Sequence, residues 1–371
     1  MSELDDVLAA LEASDGADAA LATVVAVRGS TYRREGARLV VPAGGGPTVG
    51  NISGGCLEGD VADTAREVLA SGRPALLSFD LTADDEAVWG WGLGCNGAID
   101  VFVEPARQAA RFAAAMRTAI AEHRPLALAT VVAGGPPGAR LVVHLDGRRE
   151  GSLGDPAVDE EVSEAAAEAL AESRSRTVSV QAGWRVFVEA LVPPLRLVVC
   201  GAGHDAIPLV EFGARLGWRV DVVDDRRAML VEERFPQASR LVLAQPGEAA
   251  RAAAVDARTY VVVMSHNFLR DKAYLQSFLG SAVAYLGMLG PRARFERLVN
   301  ELRAEGVEVD PAELATVHGP AGLDLGAEGP EQIAWAIVAE VLAVSNGAGA
   351  GPLRDRPGPI HRREPALGAK A

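Results

Sequence analysis

Lysine is almost missing: Lys272 and Lys370 are the only two in 371 residues, while arginine is abundant. That removes a P-loop lysine and leaves few candidates for a Schiff-base amine, so guanidinium groups are the available means of clasping phosphate or carboxylate. Cysteine is nearly as scarce. Cys56, Cys95 and Cys200 are odd in number and widely spaced, which fits reduced thiols and neither a disulfide framework nor a tetrathiolate zinc site. An excess of positive charge is lacking too: the formal net charge is −14, which excludes nucleic acid as the main partner. Although 49% of the residues are hydrophobic, Ala, Val and Leu are broken by charge every few positions and no run is long enough to cross a bilayer. The opening MSELDDVLAALEAS is acidic and helical where a secretory signal would be basic and then apolar, so a cytoplasmic protein is expected.

The length is too great for one comfortable core and predicts two or three domains. What fills the first half is a repeat. LATVVAV at Leu21 to Val27 returns as LALATVVA at Leu126 to Ala133, and GARLVV at Gly36 to Val41 returns at Gly138 to Val143. DVADTAREVLASGR from Asp60 matches EVSEAAAEALAESR from Glu161 as an amphipathic helix, and IDVFVEP from Ile99 is echoed by WRVFVEA from Trp184. Each copy reads β-β-α-β, at about 20–105 and 125–190, and the two are expected to share one sheet of an α+β domain over residues 1–192.

The repeat is an internal control, because what both copies share builds the fold and what only one carries points to function. Copy one alone has RGSTYRREG after its first strand, VGNISGGCLEG before its helix, and LTADDEAVWGWGLGCNG before its last strand. Matching the helices sets Ala157 opposite Cys56. Cys56 is therefore not needed to build the unit. Gly54, Gly55 and Gly59 let backbone approach a ligand, Glu58 adds a carboxylate, a following helix would activate the thiol, and Arg28, Arg33, Arg34 and Arg38 are candidates for a cationic wall. Cys95, in GLGCNG, is a second candidate thiol.

Pro193 and Pro194 mark a boundary. LRLVVCGAGHDAIPLVEFGARLGWRVDVVDD then reads strand, tight turn, helix, strand, with further strands near Leu241, Tyr260 and Ala284 and helices from Arg270, Arg292 and Glu331. Residues 193–345 are thus expected to form a Rossmann-like, doubly wound parallel sheet. Gly201, Gly203 and the helix after them offer backbone N–H groups to a phosphate, and Asp224 is placed to meet a ribose hydroxyl. Asp205 sets a negative charge where a pyrophosphate would lie. His204, His266 and Asp271 are candidates to converge at the carboxyl ends of the strands, His318 falls in a later loop, and Cys200, ending a buried strand, reads as a small core residue. From residue 346 the tail, rich in Gly, Pro and Arg, is expected to be disordered.

Several of these stretches, in order, resemble the XdhC/CoxI family of accessory proteins for molybdenum hydroxylases. RGSTYRREGARLVV, GNISGGCLEGDV and the GCNG element are similar to its N-terminal signature; VVCGAGHDAIPLVEFGARLGWRVDVVDDR, YLGMLGPRAR and GPAGLDLGAEGPEQIAWAIVAEVL resemble its Rossmann domain. The departures are HDA after GAG, where a His-Val-Gly type is usual, and SHN, where THD is common. The resemblance implies a non-catalytic chaperone, a homodimer, that binds molybdenum cofactor (molybdopterin), supports its sulfuration with a cysteine desulfurase, and delivers it to the large subunit of a molybdenum hydroxylase such as xanthine dehydrogenase or a CO-dehydrogenase-like enzyme. It implies that Cys56 touches molybdenum or the transferred sulfur, and that the Rossmann turn takes the pterin phosphate, a nucleotide or a partner. The alternatives are an NAD(P)-dependent oxidoreductase, favoured by the GAG turn and Asp224, and a nucleotide-sensing regulatory module.

Overall fold

The computed structural model describes residues 3–13, 19–80, 96–180 and 183–357. They fall into two compact units, Met1–Pro193 and Pro194–Ala371. Among the described residues no helix is long and apolar enough to cross a membrane. Cys95 and most of the tryptophan-rich segment before it lie outside the described residues, as does the tail beyond 357; residues 346–357 are largely exposed and carry one 3-10 turn at Leu353–Asp355.

In the N-terminal unit, copy one runs β1 (Ala19–Ser30), β2 (Arg38–Pro42), β3 (Val49–Gly50), α2 (Glu58–Ser71), β4 (Ala75–Asp80) and β5 (Asn96–Pro105), preceded by α1 (Glu3–Ala13). After α3 (Ala106–Ala121), copy two repeats the order with β6 (Leu126–Ala133), β7 (Arg140–His144), β8 (Arg149–Ser152), α4 (Pro156–Ala171), β9 (Arg176–Ser179) and β10 (Arg185–Leu191). The copies do not share a sheet. Each closes its own five-stranded sheet, β3-β2-β1-β5-β4 and β8-β7-β6-β10-β9, and each is β-β-β-α-β-β where the sequence pattern predicts β-β-α-β. The strands the pattern misses are the edges of each sheet: β3 has two residues, β8 is exposed throughout, and β4 and β9 hold no fully buried residue, so none carries the alternation that marks a strand in sequence.

Alternation along the central strands assigns their two faces. Ala20, Ala22 and Val24 of β1 meet Val61, Ala65 and Val68 of α2, and copy two repeats this with Ala127, Ala129 and Val131 against Val158, Val162 and Ala166 of α4. Residues of the other faces, such as Leu21 and Leu128, pack with α1 and α3, while Val25, Phe102, Val132 and Phe187 join one sheet to the other. Buried ion pairs cross between the copies reciprocally: Arg38 clasps Glu189 with both terminal guanidinium nitrogens, and Arg140 bonds Glu104, so equivalent arginines meet equivalent glutamates.

The C-terminal unit is a six-stranded parallel sheet, ordered β13-β12-β11-β14-β15-β16. Its strands are β11 (Arg196–Cys200), β12 (Arg219–Asp224), β13 (Arg240–Leu243), β14 (Thr259–Val263), β15 (Tyr285–Met288) and β16 (Val317–His318). The helices are α5 (Ala206–Arg215), α6 (Ala249–Ala253), α7 (Phe268–Phe278), α8 (Arg292–Ala304), α9 (Pro311–Ala315) and α10 (Pro330–Ser345). One core packs α5 and α10 against Leu197, Val199 and Val222, and the other packs α7 and α8 against Val198 and Val261. This is the doubly wound Rossmann order, whose switch point lies between β11 and β14. Cys200 is fully buried, and that burial pushes its thiol well above the ordinary range, as suits a core residue.

Candidate functional site

The loop before α2 is organised by Ser53. Its hydroxyl accepts the backbone N–H groups of Gly55 (3.1 Å), Cys56 (3.1 Å) and Leu57 (3.2 Å) and donates to Glu58. Glu58 also accepts from the N–H groups of Ser53 (3.0 Å) and Leu57 (3.1 Å). Burial alone would raise the Glu58 carboxyl, but the Ser53 hydroxyl and these N–H donors outweigh it and hold the group below its ordinary value. Glu58, read from sequence as a ligand contact, is thus engaged in holding the loop. Gly55 has φ +104°, a conformation open to glycine and costly for other residues, and a side chain there or at Gly59 would meet open space. Cys56 is half-buried beside Leu57 and Val61, two residues before the first residue of the helix.

Copy two keeps the anchor and lacks the thiol. Ser152 donates to Asp159 (2.7 Å), Asp159 accepts from Leu153 N–H (2.7 Å), and Gly154 N–H donates to Ser152 (3.0 Å). Aligning Asp159 with Glu58 again sets Ala157 opposite Cys56. There Asp155 caps the helix through Ala157 N–H (2.8 Å), with Pro156 at the first helical position.

Beside the thiol loop is a cleft of about 490 Å³ lined by Tyr32, Arg33, Arg34, Glu3, Ser175 and Glu189, among others. Tyr32, 71% exposed, joins the two features: it lines the cleft, and its ring carbon Cγ is 4.0 Å from where a Cβ on Gly54 would sit. Arg33 is paired with Glu3 from the first turn of α1. Arg28 does not line the cleft; it bonds the buried Asp100 (3.2 Å), which also accepts from Arg185 (2.7 Å) and Ser78 (2.8 Å). Burial would raise Asp100, but Arg185, Ser78 and Arg28 bring it below its ordinary value. Sequence reasoning passed over Ser53, Tyr32, Arg185 and Glu3. None of them carried a sequence signal: Ser53 stands five residues before Glu58 and Ser152 seven before Asp159, so their like roles appear only in the structure.

In the C-terminal unit Gly201, at φ +115°, comes so close to the end of β14 that a Cβ would lie 2.8 Å from Met264 O and Ser265 Cα. Asp224 is spoken for: it accepts from Ala202 N–H (2.6 Å), from Arg226 N–H (2.8 Å) and from the Arg226 guanidinium at 2.7 and 2.8 Å. Burial opposes its charge, but these donors prevail and bring it down to about 2. His266, at φ +55° and 60% exposed, bonds Asp205. His204 is exposed at the same turn. Asp271 does not join them; buried, it accepts from Ser265 and from Arg294 (2.6 Å). His318 pairs with Glu340 (3.0 Å) on α10. Among the described residues no group of three or more His, Cys, Asp or Glu is placed to hold a metal ion.

Two family models match the chain: one described as the XdhC and CoxI family over residues 13–80 and 119–181, the other as the XdhC Rossmann domain over 197–341. The chain belongs to the XdhC and CoxI family. Among similar proteins, a probable xanthine dehydrogenase subunit of Bacillus subtilis is 29% identical over 335 residues, spanning 88% of this chain and 93% of that one. The molybdenum cofactor insertion chaperone PaoD of Escherichia coli is 24% identical over 338 residues, spanning 89% and 84%. A crystal structure of a xanthine dehydrogenase from Bacillus halodurans superposes with a TM-score of 0.76 at 27% identity, covering 94% of this chain and 96% of that one. The match to the XdhC and CoxI model takes in the Arg33 cleft and the Cys56 loop, and that to the XdhC Rossmann model takes in the Gly201 turn.

Proposed function

We propose that this chain is an accessory protein that binds molybdenum cofactor and passes it to a molybdenum hydroxylase. The observation that carries the reading is the comparison of the two copies: a serine bonded to a carboxylate anchors each helix-start loop, and copy one alone adds a glycine-flanked thiol beside an arginine cleft. Kinship with a protein named for molybdenum cofactor insertion and with one named for xanthine dehydrogenase supports it. Bound there, the cofactor would supply the molybdenum chemistry, and Cys56 would be the thiol offered to it; Arg34, and Arg33 in exchange for its pair with Glu3, would offer guanidinium donors to the phosphate. A cysteine desulfurase as sulfur source and a homodimeric state belong to the same proposal. The oxidoreductase alternative is weakened by Asp224, whose oxygens are already taken up by Arg226 and Ala202.

The test is molybdenum and pterin content of protein purified from a host with intact cofactor synthesis. The native chain is expected to carry both, Cys56→Ala to lose most of the metal while staying folded, and Arg33→Lys to lose cofactor more readily as salt rises. Native protein free of pterin and molybdenum, or Cys56→Ala with full occupancy and full activation of its hydroxylase, overturns the reading.

A further inference from the structure

A Rossmann turn implies a dinucleotide, and the residues at this one can be tested for fit. A pyrophosphate needs a glycine-lined turn, free backbone N–H groups and the positive start of the following helix, while the carboxylate ending the second strand must be free for ribose hydroxyls. Here Gly201 N–H donates to Val223 O (2.8 Å) and Ala202 N–H to Asp224 (2.6 Å), so both are used inside the fold. Asp224, bound on both oxygens by Arg226, has no lone pair turned to a ribose that this partner does not already contest.

The decisive feature is Asp205. Its Oδ1 lies 2.7 Å from the position of a Cβ on Gly203, so the carboxylate occupies the space that the missing side chain of that glycine would otherwise leave to a phosphate. Asp205 immediately precedes α5, a ten-residue helix, so its negative charge sits where the helix end attracts an anion. His266, from the loop after the adjoining strand β14, bonds the same carboxylate, and the His266 ring lies 3.8 Å from the Gly203 Cβ position. Arg234 reaches the Gly203 carbonyl from a third segment (3.4 Å).

We propose that Asp205, latched by His266, stands in for the pyrophosphate at the Gly201–Gly203 turn, so that the Rossmann unit of this protein does not take up a dinucleotide. Glycine at position 203 then serves the approach of an internal carboxylate, and the switch point between β11 and β14 is closed by the chain itself. Arriving phosphates meet a like charge already seated at the helix end.

Calorimetric titration of NAD into the full-length protein tests this. The native chain is expected to bind no tighter than about 1 mM, and Asp205→Gly, which removes both the charge and the bulk, to bind at least about tenfold more tightly. Asp205→Asn keeps the shape and removes only the charge, so it should fall between them; it also guards against an Asp205→Gly protein that fails to fold. His266→Ala, which frees the carboxylate but leaves its charge, should show no gain. Micromolar binding by the native chain overturns the proposal. So does equal binding by native, Asp205→Gly and Asp205→Asn proteins, because Asp205 would then not be what closes the turn.

Discussion

Truncating Glu58 and, separately, Asp159 to alanine distinguishes what anchors the fold from what serves the ligand. Glu58 accepts three hydrogen bonds that tie Ser53 and Leu57 to the start of α2, and Asp159 accepts two that do the same for copy two. Hydrogen bonds to charged groups contribute about 1.5–3 kcal/mol apiece, but both loops are partly open to water, which recovers much of the loss. The expected cost is therefore about 2–4 kcal/mol for Glu58→Ala and somewhat less for Asp159→Ala. Urea unfolding followed by circular dichroism reads this as a lower midpoint of the N-terminal unit, with the C-terminal unit as reference. Cofactor content of the same preparations gives the second axis: Glu58→Ala should lose cofactor because Cys56 is no longer held, while Asp159→Ala should keep it when compared at equal folded fraction. A cost below about 0.5 kcal/mol for Glu58→Ala would refute its role as anchor. Equal loss of cofactor in both variants would refute the claim that copy one alone holds the ligand.

Arg38→Ala strands the buried Glu189 and should destabilise the N-terminal unit by about 3–5 kcal/mol in urea titration, whereas Arg38→Met with Glu189→Met should return most of that stability; a loss under about 1 kcal/mol for the single change would show the pair to be dispensable. Asp224 is lowered from 3.8 to about 2, so its contribution is fully present above pH 4 and lost as pH falls through about 2. At about 1.4 kcal/mol per unit that is about 2 kcal/mol, and the gap in unfolding free energy between native and Arg226→Gln proteins should shrink across this window; a gap constant with pH counts against it.

The parallel sheet was legible because its strands, buried on both faces, are short apolar runs such as Leu197–Val199 and Val261–Val263, and because a glycine turn joins the first of them to an amphipathic helix. The duplication was legible because the strand sequences themselves return, GARLVV at Gly36 and again at Gly138, with an amphipathic helix and a VFVE strand following in the same order in both copies. Separate sheets were not, since a pattern of alternation says which residues face inward but not which sheet they face. For the same reason the pairing of Arg38 with Glu189 and of Arg140 with Glu104 is invisible along the chain: the partners stand 151 and 36 residues apart. At the candidate site the thiol loop and the two cleft arginines were found through their absence from copy two. Arg28 looked like a wall of the same site and turned instead to Asp100, a partner that only the pairing of β1 with β5 brings alongside. Asp224 shows the same limit, because Arg226, two residues on, takes the oxygens that a ribose would need.

The crossing ion pairs explain why one copy was free to change. Burying charge costs several kcal/mol per ion before any return from pairing, so Arg38–Glu189 and Arg140–Glu104 are weak evidence for stability and better understood as a device of register. Sliding one sheet on the other by a single residue would leave all four charges buried without partners. Asp100 and Arg185, at equivalent places in IDVFVEP and WRVFVEA, differ in sign and meet each other, so even the position where the copies would otherwise oppose like with like is matched. With the packing of the two sheets fixed by these contacts and by Phe102 and Phe187, the loops at the helix starts carry little of the burden of holding the copies together. Copy two retains there only an anchored turn and a capped helix; copy one, under the same anchor, can spare its backbone for glycines and a thiol. A changed side chain at Gly54 or Cys56 should consequently alter ligand binding long before it alters the fold, whereas a changed charge at Arg38 or Glu104 should do the reverse.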